Sequence, residues 1–420
     1  MNKNISFTFL FLIICIIIST VPVIAVESPL SSISNNGECP FPLISLNSAG
    51  LSKTKTSLCS NDCCLPCPIA NNFYKKNQID LIFNVLSVIR IISFICVLIM
   101  VISYIVLPNK REHPAITVLC FNISLLIFTG VTFFYVGNIK RVQCADLITQ
   151  ATIGNNTLCG VQGIIVVFST FLLILWCFLL ILHLHFQIVW RSNIIQKYHL
   201  ISQILVIVIA LTFTILPSAM KKFSFEFGAV CLVSSDYMNI LFWYPLAFFA
   251  IPGFLIHFYT FIFIAKSECM MSQDYEDDST LVNSKSSMNV TRQEIVRAIR
   301  IQWRALMLAL VLLVTFTIYW SFVVSEVYKL KPENFNPPKP WFLAWLNCIY
   351  ENGIKNVNAQ NICSSYAIDH IPNIAYLIIA ETLTSILGLS IFIIFGTSID
   401  LWSEWKLYFF NKFDRQNTWA

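Results

Sequence analysis

Seven long apolar stretches constrain this chain more than any motif does. They fall at roughly 82–107, 115–136, 161–189, 200–217, 238–265, 305–328 and 373–395. A hydrocarbon core about 30 Å thick asks for helices of about 20 apolar residues. Composition agrees, because 57% of the 420 residues are hydrophobic and only 12% are charged. No stretch alternates at period two, so a membrane barrel is not indicated. In lipid each span must satisfy its own backbone donors and acceptors, which leaves helices. The expected fold is an all-α membrane protein, a seven-transmembrane helix bundle.

Cysteine placement gives the orientation. Cys144, Cys159, Cys231, Cys348 and Cys363 fall between spans 2 and 3, 4 and 5, and 6 and 7, whereas Cys269 sits on a connection of the other parity. Disulfides persist in oxidising compartments and not in the cytosol. The loops with five cysteines are therefore expected outside, together with the N-terminus. Lys3, the apolar run Ile5 to Ile18 and the small-residue site Val23-Ile24-Ala25 read as a signal peptide cleaved after Ala25. An eighth helix, the other reading, would put the cysteines of 39–67 in the cytosol. Lys and Arg divide almost evenly between the two sets of loops, so the positive-inside rule decides nothing. Asn155, in the sequon Asn155-Asn156-Thr157 on an outer loop, is the expected glycosylation site, while Asn289-Val290-Thr291 falls on an inner loop and should stay unmodified.

Four regions follow: a signal peptide at 1–25, an extracellular cysteine-containing hinge at 26–80, the seven-helix domain at 81–396 and a short cytoplasmic tail at 397–420. The hinge is too short to bury a core and needs staples. It carries Cys39, Cys59, Cys63, Cys64 and Cys67, an odd set that requires a partner elsewhere. With the five loop cysteines the total is even, and the pairing among the hinge five stays open. A zinc site on Cys59, Cys63, Cys64 and Cys67 is the rival reading, disfavoured in an oxidising compartment. On the inner side, 266–304 is acidic and then Ser/Thr/Asn-rich, a composition that predicts disorder. Arg297, Arg300 and Arg304 follow at helical spacing and share one face. In the tail, Trp402, Trp405, Phe409 and Phe413 recur every three or four residues, as expected of an amphipathic helix in the interface, with Trp402 packed back on the bundle. Lys406, Lys412 and Arg415 suit anionic membrane lipid.

Enzyme chemistry finds no support. HExxH, GxSxG, a phosphate loop and an intramembrane Gly-Asp pair are all missing. His183 and His185 lie two apart and so do not share a helix face, which makes packing a better account than metal ligation. No metal or cofactor is implied. The net charge of +5 is scattered, so nucleic acid is not an expected partner. Seven spans do not divide into inverted repeats, and Pro217, Pro245 and Pro252 have no counterparts in a second half, against a transporter. Two charges do lie within apolar runs, Arg90 in span 1 and Glu381 in span 7. Buried charge is costly in lipid and usually functional, so both are ligand-pocket candidates, and they could also pair. Snorkelling to the outer interface is the other reading of Arg90.

Several segments together resemble one family. They are Cys64-Leu65-Pro66-Cys67-Pro68 before span 1, Pro108 to Pro114 on the first inner loop, Tyr198-His199-Leu200 opening span 4, Gly228-Ala229-Val230-Cys231, and Ile362 to Ala367. In order and placement they resemble the hinge, inner-loop and outer-loop motifs of Frizzled and Smoothened receptors, over about 60–400. Those receptors carry a large ten-cysteine domain before the hinge. Here about 33 residues with one cysteine separate Ala25 from Cys59, so the resemblance is to the amoebal members that lack that domain, and Wnt recognition is not implied.

The resemblance implies a disulfide from Cys159 to Cys231. Cys348 and Cys363 would close a short loop, worth about 3 kcal/mol in the chain-entropy model, and Cys144 would take a hinge cysteine. It also implies that Arg304 latches span 6 to an aromatic on span 7, here Phe395. The partner-docking Lys-Thr-x-x-x-Trp motif of the family corresponds to Thr397-Ser398-Ile399-Asp400-Leu401-Trp402, which keeps the hydroxyl at Ser398 and the Trp402 ring but lacks the lysine. That loss argues against a standard Dishevelled partner. The function implied is that of a plasma-membrane receptor passing an extracellular or lipid signal to cytoplasmic partners. A non-signalling sterol or lipid binder, or an assembly factor, is the alternative. Ligand, G-protein or Dishevelled-like coupling and oligomeric state stay open.

Overall fold

Each apolar stretch is one helix long enough to cross a bilayer: α1 Gln78–Val106, α2 Ala115–Phe134, α3 Thr157–Ile188, α4 His199–Ala219, α5 Ser235–Ile264, α6 Trp303–Leu330 and α7 Ile374–Gly396. They come from a computed structural model that describes residues 39–46, 58–60, 62–108, 115–277, 285–330, 338–353, 358–397 and 401–408. The expected signal peptide, Ser398, Phe409 and Phe413 lie outside the described residues. Seven spans make the chain a multi-pass membrane protein.

α3 is the axis of the bundle and packs against α2, α4, α5 and α6. Val167, Ser169 and Phe171 on it are fully enclosed. Its first turn is set by Asn156, whose side chain accepts from the Cys159 backbone N–H at 3.2 Å, so it starts four residues before the apolar run. α4 is the opposite case. Leu200, Ile204, Val208, Leu211 and Ile215 all face outward, as expected of a helix that borders lipid, where apolar exposure is free of cost.

Two helices depart from regular geometry. In α5, residues Asn239–Trp243 form a π turn, with the Tyr244 N–H reaching back five residues to the Asn239 carbonyl. Pro245 supplies the cause, because it has no N–H and its ring crowds the carbonyl four residues back. In α7 the helix Ile374–Ser385 breaks at Ile386, resumes over Leu387–Ile391 and ends in a π turn over Phe392–Gly396.

α1 and α7 meet along a narrow seam. A Cβ on Gly388 would lie 2.9 Å from the Ser93 carbonyl oxygen, so only glycine permits this approach. One turn along, the Ser93 hydroxyl donates to the Ser385 carbonyl at 2.5 Å. Small residues at such contacts let backbones close in. Since Arg90 precedes Ser93 and Glu381 precedes Ser385 by about one turn, the seam fixes these two side chains opposite each other.

One end of the bundle carries the five disulfides found among the described residues. They join Cys39 to Cys63, Cys59 to Cys64, Cys67 to Cys144, Cys159 to Cys231 and Cys348 to Cys363. Strands β1 Ile44–Ser45, β2 Cys59–Ser60 and β3 Cys63–Cys64 form a small antiparallel sheet in the order β1-β3-β2. Phe73, just before α1, is fully buried edge-on against Trp341, Phe342 and Trp345 of the helix Pro340–Asn352, with centroids 5.8, 6.3 and 4.9 Å away. Gln360 seals this joint by donating to the Asn71 and Tyr74 carbonyls at 2.9 and 3.0 Å. Tyr74 in turn donates to the Pro372 carbonyl at 2.6 Å, and burial with nearby Glu326 pushes its hydroxyl pKa up. Strands β4 Phe223–Phe225 and β5 Cys231–Val233 pair as an antiparallel hairpin, pinned to the start of α3 by Cys159–Cys231 with Cα atoms 5.4 Å apart.

The opposite end differs from the sequence expectation in two places. The acidic and Ser/Thr/Asn-rich connection, expected to be disordered, is helical to Asp277 and again from Lys285. Extending an existing helix adds one hydrogen bond per residue without a new nucleation cost. In the helix at 401–408, Leu401 is the buried residue, and Trp405 rather than Trp402 reaches α1, donating to the Ser103 hydroxyl at 3.0 Å. Trp402 is 50% exposed, with its indole N–H on the Gly396 carbonyl at 2.7 Å.

A pH test follows from the hairpin. Glu226 accepts from the Ser224 hydroxyl at 2.8 Å and the Ser235 N–H at 3.1 Å, and burial raises its carboxyl pKa above the usual carboxylate value. A carboxyl raised in the folded state contributes most below its unfolded pKa and loses that contribution as pH rises through the folded value. Melting curves from pH 4 upward should therefore show Glu226→Gln gaining stability over the parent as pH rises, with the two converging at the acid end. Parallel curves would contradict the assignment.

Candidate functional site

The charges of α1 and α7 that lie deepest in the spans form one cluster. Arg90 of α1 and Glu381 of α7 are paired directly, with side chains 12% and 1% exposed. Arg90 turns inward and does not snorkel. Its Nε donates to the Ser385 hydroxyl at 2.9 Å, one terminal nitrogen reaches the Tyr135 hydroxyl, and the other reaches both Glu381 and, at 3.4 Å, Thr384. Tyr319 of α6 donates to the second Glu381 oxygen at 3.3 Å. Four spans thus meet on a single ion pair. Each ion loses several kcal/mol of hydration on burial, and the pair is tolerated because these extra hydrogen bonds complete its coordination.

Beside this cluster lies a cavity of about 120 Å³, many times the roughly 10–15 Å³ a single water needs. Arg90, Thr129, Thr170, Trp243, Phe316, Tyr319 and Leu387 are among its walls, so α1, α2, α3, α5, α6 and α7 all contribute. Val230 and Leu232 of the β4–β5 hairpin close it on the disulfide side. The hairpin is held there by Gln162, which accepts from the Cys231 N–H at 2.9 Å, and by Gln143, which donates to the Gly228 carbonyl at 2.8 Å. Gly228 has φ +115°, and a Cβ on it would lie 2.8 Å from a Glu381 oxygen. Glycine at 228 is what lets the lid sit against the ion pair. The cavity is apolar with a few convergent polar groups, the usual make-up of a small-molecule site.

The other sequence candidates are placed as follows. Asn155 is exposed on the loop before α3, its amide nitrogen donating to the Gln150 carbonyl at 3.1 Å. Arg304 and Phe395 are not brought together as a latch, for among the described residues no cation lies over the Phe395 ring. Phe395 packs instead with the cluster of Cys96, Met100, Tyr104 and Leu401, and Arg304 lies within electrostatic reach of the Tyr104 hydroxyl. The π turn at Phe392–Gly396 explains the miss, because counting residues along α7 assumes a regular helix. His185 bonds the Thr260 hydroxyl at 2.8 Å. Among the described residues no group of three or more His, Cys, Asp or Glu converges as metal ligands do. Sequence reasoning missed Tyr135, Tyr319, Ser385 and Trp243, since nothing in an apolar run marks one aromatic or hydroxyl residue above its neighbours.

The described residues form a seven-helix bundle with a lidded cavity and a disulfide from the lid to the central helix. The protein named G protein-coupled receptor gprM of Aspergillus fumigatus is 25% identical over 90% of this chain and 78% of its own length. Frizzled and smoothened-like protein K of Dictyostelium discoideum is 28% identical over 50% of this chain, and Frizzled/smoothened-like sans CRD protein A of the same organism is 27% identical over 59%. This chain spans 38% and 46% of those two relatives. No family model matches. The chain is similar to these receptors, both those named Frizzled and smoothened-like and those with "sans CRD" in their names.

The ion pair makes a direct stability prediction. Arg90→Leu or Glu381→Leu alone leaves an unpaired buried charge and should cost about 3–5 kcal/mol. The double variant removes both charges and should recover most of that loss, read as melting temperature of the purified full-length protein. A double variant no better than the worse single one would mean that the pair is not what holds α1 to α7.

Proposed function

We propose that the chain is a cell-surface receptor whose disulfide-bearing end is extracellular, entering the membrane behind a signal peptide at 1–25 and glycosylated at Asn155. Its ligand, an extracellular or lipid molecule, occupies the lidded cavity. The observation that carries this reading is the cavity itself, walled by six helices and bordered by Arg90 and Tyr319 of the four-helix ion-pair cluster. A ligand that bears on the cluster bears on four spans at once, which is how binding at one end becomes helix rearrangement at the other. An oxidising environment for ten bonded cysteines supports the orientation.

Signal output belongs to the opposite end. Arg304 acts there as a switch on Tyr104 of α1, and Trp402, half-exposed beside the last turn of α7, forms part of the partner-docking surface with Ser398. The chain has no catalytic role. Its partners are cytoplasmic signalling proteins and membrane lipid.

A proximity screen for proteins recruited to the full-length receptor, with and without added extracts, would test the class, and ligand-independent recruitment throughout would favour a non-signalling lipid binder. Arg304→Ala should alter basal recruitment, whereas unchanged basal and stimulated recruitment would end its role as switch. With Trp402→Ala, normal surface expression and lost recruitment are expected. Intracellular retention of that variant would leave the residue a structural role only.

A further inference from the structure

A second cavity lies beyond the first, on the side away from the disulfides. It measures about 20 Å³ and is bounded by Cys177, Phe178 and Ile181 of α3, Gly253 of α5, and Ala309 and Leu313 of α6. Ile174 and Leu312 belong to the walls of both cavities. Both helices show the same order. Along α3 it runs from Thr170 and Leu173 through Ile174 to Cys177 and Ile181, and along α6 from Tyr319 and Phe316 through Leu312 to Ala309. At 1.5 Å per residue, Thr170 to Ile181 spans about 16 Å. The two voids therefore form one column between α3, α5 and α6, parted at Ile174 and Leu312. Small residues keep the second void open, since a Cβ on Gly253 would already lie 3.0 Å from the Phe178 ring.

The two cavities differ in polarity. Arg90, Thr132, Thr315, Tyr319 and three further threonines border the first. Among the described residues no side-chain oxygen or nitrogen borders the second, where the Cys177 thiol is the only heteroatom. A void lined in this way stays dry, and its walls lack the dispersion contacts that a filled space gives. At about 20 Å³, against roughly 10–15 Å³ for one water, it admits the end of an alkyl chain and no ring system.

Building on the receptor reading above, we propose that the second cavity is a subsite for the tail of the ligand, and that the ligand is a single-chain amphiphile. The class is that of fatty alcohols, fatty esters and monoacyl lipids. The polar end stays in the first cavity, the chain passes between Ile174 and Leu312, and its last carbons seat against Cys177, Gly253 and Ala309. Fused-ring ligands are kept out of the second cavity by its size. Ala309 lies five residues, about 7 Å, from Arg304 along α6, so a seated chain end bears on α6 between the ion-pair cluster and Arg304.

Hexanol and decanol, each with a photoreactive diazirine on its last carbon, test this on the full-length protein in lipid nanodiscs, with modified residues located by mass spectrometry. Hexanol is expected to label first-cavity residues such as Leu173 and Phe316, and decanol to label Cys177 and Phe254. Decanol should gain about four-fold in affinity for each methylene that enters the second cavity. Ala309→Leu fills that cavity, and should abolish decanol's labelling of Cys177 and Phe254 and remove its advantage over hexanol. Parent and variant are compared at equal lipid content, so partition into the bilayer cancels. Thr315→Trp fills the first cavity and should also stop decanol reaching Cys177. Persistent Cys177 labelling in Thr315→Trp means that the chain enters from the bilayer, and overturns the proposal. Decanol labelling confined to the first cavity overturns the subsite while leaving that cavity a ligand site. If a variant fails to fold, the parent's labelled positions with decanol against hexanol decide alone. Labelling by both probes only at outward positions such as Ile204 and Leu211 overturns the cavity reading and this inference with it.

Discussion

The rest of the structure depends on the ion pair between Arg90 and Glu381. A lone charge in the hydrocarbon core is unfavourable by several kcal/mol, so neither residue is tolerable without the other. That requirement fixes the register of α1 against α7, and the close contact of Gly388 with Ser93 is the geometry the register demands. Tyr135 and Tyr319 then bring α2 and α6 to the same point, each satisfying a ligand position that the pair leaves open. A cluster satisfied from four helices has few alternative arrangements. It supplies the polar part of the cavity wall at Arg90 and Tyr319, and that part is close to neutral because the two charges cancel.

The lid follows from the same cluster. Gly228 approaches Glu381 so closely that a side chain there would collide with the carboxylate. The hairpin is held over the cavity by Cys159–Cys231 and by two buried glutamines, while Val230 and Leu232 point apolar surface inward. Beside it, Phe73 seated among Trp341, Phe342 and Trp345 ties the hinge to the last large loop without a covalent bond. Edge-on aromatic contacts of this kind contribute about 0.5–1.5 kcal/mol each beyond their buried area.

Much of this was legible in the sequence, for physical reasons that also mark where reading stops. Spans follow from hydropathy, because lipid imposes the same demand on every crossing segment. Arg90 and Glu381 stand out because charge in an apolar run is expensive, and their pairing is a natural consequence. Trp243 and Tyr319 are invisible by that logic, since an aromatic residue in a span is unremarkable until it is found on a cavity wall. The latch between Arg304 and Phe395 failed for a definite reason. A break at Ile386 and a π turn at Phe392–Gly396 change the phase of α7, and residue counting cannot see either. Likewise Trp402 and Trp405 of the aromatic stripe fall on the helix at 401–408, but the contact with Ser103 selected Trp405 over Trp402.

The distribution of covalent bonds decides where motion can appear. All five disulfides lie at one end, and loops closed by 72 and 77 residues restrain the hairpin and hinge strongly there. The other end has no disulfide among the described residues and is held by packing, chiefly of Tyr104 and Leu107 of α1 with Leu401 and Trp405 of the helix at 401–408, and by the hydrogen bonds of Trp402 and Trp405. The helix of α6 is continuous over Lys285–Ser325, 41 residues, or about 60 Å. It passes the cavity at Phe316 and Tyr319 and continues beyond the membrane span. A small tilt imposed near Tyr319 is therefore multiplied by length at the far end, where Arg304 faces α1 without a covalent tether. α7 is jointed at Ile386, directly beyond Ser385 and the ion pair, so its two halves need not move as one. Rigid at the lid, jointed at the charge cluster and long below it, the bundle is mechanically biased to express a change in the cavity on the Arg304 side.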